Sequence, residues 1–229
     1  MALALFDLDN TLLGGDSDYL WGRFLVEQGI VDGDAYEQQN QIFYDQYKAG
    51  TLDIQAFLAF SLRPLAAHPP AQLYAWREEF LTRLIDPIIL PAARALVQQH
   101  RTAGDTPVII TATNRFVTAP IAARFGIEHL IATEAEMQGG RYTGRSSGTP
   151  CFQDGKVERL QQWLREQGAD LADSWFYSDS HNDLPLLERV AHPVAVDPDD
   201  KLAQHAHRRG WPVMTLRQDW SETGRPVGA

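Results

Sequence analysis

Ala2-Leu3-Ala4-Leu5-Phe6 is an apolar run that leads into Asp7-Leu8-Asp9-Asn10-Thr11 and then breaks at Gly14-Gly15. Uncharged apolar residues in a short run suit a strand covered on both faces, as in a parallel sheet flanked by helices. Such a strand delivers Asp7 and Asp9 at its C-terminal end. Carboxylates two residues apart project to the same side of an extended chain, where their like charges need compensation. A divalent cation supplies it most simply. Mg²⁺ takes hard oxygen ligands, keeps several waters, and is held by one or two carboxylates together with a substrate phosphate. The bland alternative is a strand end whose aspartates cap the following turn.

The remainder of the chain carries further segments of the same character. Thr106 to Thr111 reads as a second buried strand within the stretch Pro107-Val108-Ile109-Ile110-Thr111-Ala112-Thr113, followed by a short polar loop and a helix containing Val117, Ile121 and Phe125. Lys156 follows Asp154-Gly155 and opens a helix through Leu160, Trp163 and Leu164. Trp175-Phe176-Tyr177-Ser178 forms a strand that delivers Asp179 in Ser178-Asp179-Ser180-His181-Asn182-Asp183. Leu130 to Thr133 and Pro193 to Val196 read as further strands, and Gly139-Gly140 as a hairpin turn. Strands alternating with helices predict an α/β protein with a doubly wound parallel sheet, and ligands in such sheets bind beyond the carboxyl ends of the strands.

Between Gly15 and Asp86 the pattern is helical. Helices are expected over Tyr19 to Gln28 and Asp34 to Ala49, another opened by Asp53 with Phe57 and Leu58, and a fourth after Pro69-Pro70 with Leu73, Trp76 and Phe80. Their aromatics at helical spacing read as the core of an inserted lobe. The predicted division is a core domain of residues 1–14 and 87–229 and a helical cap of residues 15–86. At 229 residues the chain accommodates two unequal lobes of this kind.

FDLDNTL, IITAT, Lys156 and SDSHNDLPLL stand in the order of the four motifs of the haloacid dehalogenase superfamily, and the chain resembles its phosphoserine-phosphatase-like branch. The resemblance spans Asp7 to Asp183 and implies a Rossmann-like core with a cap inserted after the first motif. It implies a phosphatase that hydrolyses a small phosphorylated metabolite through an aspartyl-phosphate, with Asp7 as nucleophile. The residue types support that chemistry. Asp9 suits the general acid and base, two residues on. The Thr111 hydroxyl and Ala112 amide are donors for phosphate oxygens, although Thr111 is equally an ordinary strand threonine. By the resemblance Lys156 sets a positive charge beside the phosphate and Asp7. Asp179 joins Asp7 and Asp9 as a Mg²⁺ ligand, and Asp183 orients metal-bound water or Lys156.

Asn182 matches the asparagine of the GDGxND form, where it touches substrate, while Ser178 and Ser180 replace that form's glycines. Asp16 falls where phosphoserine phosphatases carry a glutamate for the substrate's amino group. Asp18 serves equally, and both are also N-cap candidates. Arg63 is the cap candidate for a substrate carboxylate, or else marks a helix end. Thr113 and Asn114 are read as caps of the next helix, Arg115 as a weaker substrate contact, and His181 as a loop residue. A related group with the FDLDNTLLGGDSD opening is associated with histidinol phosphate, whose amine without a carboxylate fits Asp16 and Asp18 and does not need Arg63. Phosphoserine is the other candidate substrate. The alternatives are a phosphotransferase or phosphonate hydrolase on the same scaffold, and a noncatalytic module that binds a phosphometabolite.

The composition narrows the setting. A formal charge of −10 opposes the phosphate-backbone attraction on which nucleic-acid binding rests, so no nucleic acid is expected as a partner. His205, His207, Arg208 and Arg209 form a local basic cluster that reads as a solvated helix end. No apolar run approaches the roughly 20 residues of a membrane span, and no secretory leader is recognisable, so no membrane is expected and a cytoplasmic location follows. Cys151 is the single cysteine, which excludes an internal disulfide. The cap aromatics are compatible with a dimer as well as a monomer.

Overall fold

The computed structural model describes residues 2–217. β1 (Leu3–Phe6) is buried along its whole length and lies at the centre of a seven-stranded sheet. On one side it pairs in parallel with β2 (Thr106–Asn114), Phe6 opposite Ile109. On the other it pairs in parallel with β5 (Trp175–Ser178), Phe6 opposite Tyr177. β3 (His129–Gln138), β6 (His192–Val196) and β7 (Val213–Met214) extend the parallel part. β4 (Arg141–Ser147) turns back antiparallel to β3 through Gly139 and Gly140, whose φ values of 56° and 76° suit a hairpin turn. The sheet order is β4-β3-β2-β1-β5-β6-β7.

The period-two pattern of β1 explains why both faces are covered. Ala4 and Phe6 point into one hydrophobic cluster, Leu3 and Leu5 into another. The second cluster is closed by Val157 and Leu160 of α8 (Asp154–Gln167) and by Leu202 and Ala206 of α10 (Asp200–Arg209). α6 (Pro91–Ala103) and α7 (Arg115–Arg124) cover the first, through residues including Leu96, Val97, Val117 and Ile121. The short α9 (Leu184–Leu187) follows the loop after β5.

The chain between β1 and β2 is helical: α1 (Ser17–Glu27), α2 (Gly33–Ala49), α3 (Ile54–Ser61), α4 (Arg63–Ala67) and α5 (Pro70–Phe80). α5 continues through a π-helical turn, Leu81–Ile85, and a 3₁₀ turn, Asp86–Ile88. Trp21 of α1 packs against Phe80 at 5.1 Å and against Phe116 of α7 at 5.6 Å between ring centres, so one aromatic cluster joins the insertion to the core. Entry and exit segments cross side by side, with Gly14 N–H donating to Ile88 O at 2.7 Å and Leu90 N–H to Leu12 O at 3.3 Å.

Several boundaries differ from the sequence reading. α1 starts at Ser17, not Tyr19, because Asp16 caps it. β2 runs on to Asn114 and β3 to Gln138, and β7 had no counterpart among the expected strands. Leu62 both ends α3 and precedes α4, so Arg63-Pro64 opens a helix. The sequence from Ser221 onward, which is polar and bears proline and glycine and reads as a tail, lies outside the described residues. Among those described, no helix is long and apolar enough to cross a membrane.

Candidate active site

Asp7 leaves β1 with its N–H bonded to Tyr177 O at 2.9 Å, which aims its carboxylate at the C-terminal edge of the sheet. Lys156, in the first turn of α8, reaches the same point. Its Nζ lies 2.7 Å from Asp7 Oδ1 and 2.7 Å from Asp183 Oδ1. All three side chains are buried, and Ser178 Oγ fixes the far carboxylate by donating to Asp183 Oδ2 at 2.7 Å. Thr11 joins Asp7 to the loop after β5. Its hydroxyl lies 3.4 Å from Asp7 Oδ2 and 3.2 Å from Asp179 Oδ1, and it accepts from Asp179 N–H at 3.1 Å.

Asp9 is clamped on both oxygens. Oδ1 accepts from Ser17 N–H at 2.6 Å and Oδ2 from the Thr113 hydroxyl at 2.8 Å. Burial, with the Asp16 charge adding, raises its carboxyl to about 6, and the bonds from Ser17 and Thr113 pull the other way. Asp7 is raised to about 7, again first by burial. Lys156 opposes that rise, while Asp183 and Asp9 add to it. Asp179 is pushed well above the usual carboxylate range by burial, then by Asp7 and Asp183. Burial alone would lower Lys156, but Asp183 and Asp7 outweigh it and hold the ammonium charged.

The C-terminal end of β2 divides its tasks differently from the sequence reading. Thr111 is buried and its Oγ1 accepts from Thr113 N–H at 3.2 Å. The carbonyl of Ala112 accepts from Thr133 Oγ1 at 2.8 Å. Asn114 caps α7 through Val117 N–H, as expected, but Thr113 turns to Asp9 instead of capping. Arg115 is drawn away to Glu134, at 2.8 Å, and to Leu130 O, because β3 presents a carbonyl and a carboxylate to its guanidinium.

A cavity opens over Asp7 and Asp9. Asp16, Asp18, Thr111, Ala112 and Thr113 line it together with Tyr19, Asn40, Phe43, Tyr44, Tyr47, Phe57 and Phe152. No lysine, arginine or histidine is among its lining residues. Arg63 is exposed on the first turn of α4 and is not brought to this cavity. Nor is Asn182, whose Nδ2 donates to Tyr47 O at 3.1 Å and whose Oδ1 accepts from Gln153 at 3.0 Å. It ties the loop after β5 to the end of α2. Beside it Lys201 Nζ donates to Ala49 O at 2.8 Å, and His181 is held by Asp199 at 2.7 Å. Gly50, with φ 77°, lies against this imidazole, and a Cβ there would come within 2.5 Å of His181 Nε2.

Among the described residues, no three Asp, Glu, His or Cys side chains converge closely enough to enclose a metal by themselves. Thr11, Ser17 and Thr113 are the site residues whose roles the sequence reading missed. Thr11 and Thr113 stood within the quoted first and second motifs, whereas Ser17 has no signal apart from what folding places beside Asp9.

The relatives of the chain show its family. The family model for haloacid dehalogenase-like hydrolases matches residues 4–188. A histidinol-phosphatase of Neisseria meningitidis is 47% identical over 94% of this chain and 99% of its own length. A solved Bordetella pertussis protein of unknown function is 48% identical, with a TM-score of 0.89 over 94% of this chain and 98% of that one. A substrate-bound phosphoserine phosphatase shares the fold, with a TM-score of 0.70 at 16% identity over 95% and 94% of the two chains. The chain belongs to the haloacid dehalogenase-like hydrolases, in their phosphoserine-phosphatase-like branch.

Proposed function

We propose that this phosphatase hydrolyses histidinol phosphate, a small amine-bearing phosphomonoester, through an aspartyl-phosphate on Asp7. The observation that carries the substrate is the cavity wall: four carboxylates and a set of aromatic faces, with no basic side chain to pair a substrate carboxylate. Phosphoserine carries such a carboxylate, and histidinol phosphate does not. The Neisseria meningitidis relative bears that activity in its name. The chain divides in this reading into a core of residues 1–14 and 87–229 and a cap of residues 15–86 that closes over the substrate.

Asp7 attacks phosphorus, with Lys156 holding its carboxylate in place and offsetting the phosphate charge. Asp183 and Ser178 in turn position Lys156. Thr111 and the Ala112 amide face the phosphate oxygens. Asp9, which retains a proton to about pH 6, protonates the leaving oxygen and later takes a proton from the attacking water. Asn182 serves by holding the end of α2 over the site.

The donor set fits Mg²⁺. It is all oxygen, Asp7 and Asp179 are raised by burial and by neighbouring carboxylates whose repulsion a cation would relieve, and the convergence of fewer than three ligating side chains among the described residues suits an ion that keeps several waters and takes a substrate phosphate. Asp7 and Asp179 would hold the ion through carboxylates and Asp9 through its main-chain carbonyl, since both its side-chain oxygens are engaged. Bound there, Mg²⁺ supplies charge neutralisation at the phosphoryl oxygens. The buried Cys151, its thiol pushed up to about 12 by burial, suits a reducing compartment, and we place the enzyme in the cytoplasm.

The test is phosphate release from histidinol phosphate, phosphoserine and a sugar phosphate, with Mg²⁺ or chelator. The highest kcat/KM is expected for histidinol phosphate, lost on chelation. Equal or better turnover of phosphoserine, or release that requires an acceptor alcohol, would overturn the substrate or the hydrolytic reading respectively.

A further inference from the structure

The N-terminus of α1 separates two carboxylates that are equivalent by spacing alone. Asp16 is the N-cap, and its Oδ1 accepts from Asp18 N–H at 3.0 Å and from Tyr19 N–H at 2.8 Å. The preceding helix N–H, that of Ser17, goes to Asp9. The first three donors of the helix are thereby satisfied, and Asp16 is committed to the backbone. Asp18 lines the same cavity, half-buried, and no donor among the described residues reaches its carboxylate. The charges facing it are those of Asp16 and Asp9, both negative. A carboxylate withdrawn from water among like charges is completed by a cation arriving through the cavity.

Resting on the phosphatase reading above, we propose that Asp18 reads the substrate's ammonium group, while Asp16 is a positioning residue that holds α1 and with it Asp18. The resemblance to phosphoserine phosphatases would set that recognition at Asp16, and the capping geometry moves it one residue past Ser17. Ser17 also carries the N–H that holds Asp9, so the ammonium site and the proton carrier are fixed to the same helix end. The group read by Asp18 therefore lies within a few bonds of the leaving oxygen. The matching substrate class is the vicinal amino phosphates, with the amine on the carbon beside the ester-bearing carbon.

The experiment compares kcat/KM for two pairs, ethanolamine phosphate against ethyl phosphate and histidinol phosphate against its des-amino analogue. Losing a charged hydrogen bond in Asp18→Asn is expected to lower the amine preference roughly 10- to 100-fold, mainly through KM of the amine member. Asp18→Glu restores part of it. Asn caps a helix about as well as Asp, so Asp16→Asn keeps the preference within about threefold of wild type. The assignment is overturned if Asp16→Asn erases the preference as fully as Asp18→Asn, if Asp18→Asn slows both members of each pair equally, or if the wild type shows no amine preference. Amine preference in the ethanolamine pair without turnover of histidinol phosphate refutes only the named substrate. No hydrolysis of any phosphomonoester with Mg²⁺ supplied overturns both readings.

Discussion

Lys156→Met removes the cation from a cluster in which its Nζ stands 2.7 Å from each of two carboxylates, with all three side chains only 3–5% exposed. Breaking a buried pair by removing one partner costs about 3–5 kcal/mol. Asp7 gives that cost a pH dependence. In the wild type it keeps its proton to about pH 7, against 3.8 for an ordinary aspartate. A carboxyl raised by folding adds stability that is complete below about pH 4 and is lost as pH rises through about 7. Lys156 pulls the Asp7 value down, so without it Asp7 titrates higher still. Between about pH 4 and pH 7 both folded proteins hold this proton and the deficit stays level. Above pH 7 only the wild type has released it, and the deficit widens by up to about 1.4 kcal/mol per pH unit. Urea unfolding by tryptophan fluorescence, in chelator, should give a deficit of about 3 kcal/mol at pH 6 and about 5 kcal/mol at pH 8.5. A deficit under about 1 kcal/mol at both values, or one that narrows with pH, would refute the reasoning.

Thr113→Val removes the donor 2.8 Å from Asp9, which should raise that carboxyl above its value of about 6 and move the corresponding limb of the kcat–pH profile upward. A fall in kcat of about tenfold is expected to accompany it, and an unchanged profile would count against Asp9 as proton carrier. Gly50→Ala places a Cβ 2.5 Å from His181 Nε2 at a residue with φ 77°. It should cost about 1–2 kcal/mol in urea unfolding and raise KM, through loosening of the α2 end that Lys201 and Asn182 hold. Mg²⁺ should raise Tm more at pH 8 than at pH 5, because Asp7 keeps its proton to about pH 7 and that proton competes with the ion at the lower pH, while burial biases Asp179 in the same direction. Equal shifts at both pH values, read by thermal melting, would speak against carboxylate ligation.

The core was legible wherever burial leaves a mark on the sequence. Leu3 to Phe6 and Trp175 to Ser178 are uncharged because helices cover both faces, and the aspartates after them mark the strand ends. The helix start at Asp53 was legible because an N-cap needs a short side-chain acceptor, whereas at α1 that rule offered Asp16 and Asp18 alike. β2 looked shorter than it is, since Thr111 to Asn114 are polar, and the strand resumes pairing with Thr133 past an irregularity at Ile110. Arg63-Pro64 looked like a stop because proline ends helices in their interiors, yet it is tolerated in a first turn. At the candidate site, Asp7, Lys156, Asp179 and Asp183, which the fold brings together, stood out in the sequence by type and order. Those that act by holding others did not: Thr113 and Ser17 meet Asp9 only in the folded chain, and His181 and Lys201 meet the α2 end across the molecule. Asp16 and Asp18 could not be told apart until the cap hydrogen bonds were in view.

The most direct test of the central claim is to trap the intermediate. Wild-type enzyme mixed with radiolabelled histidinol phosphate and Mg²⁺ and quenched in acid within the first turnover should carry label on the peptide containing Asp7, and hydroxylamine should release it as expected of an acyl phosphate. Asp7→Asn should carry none and release no phosphate. Label on another residue, or turnover retained by Asp7→Asn, would contradict the account.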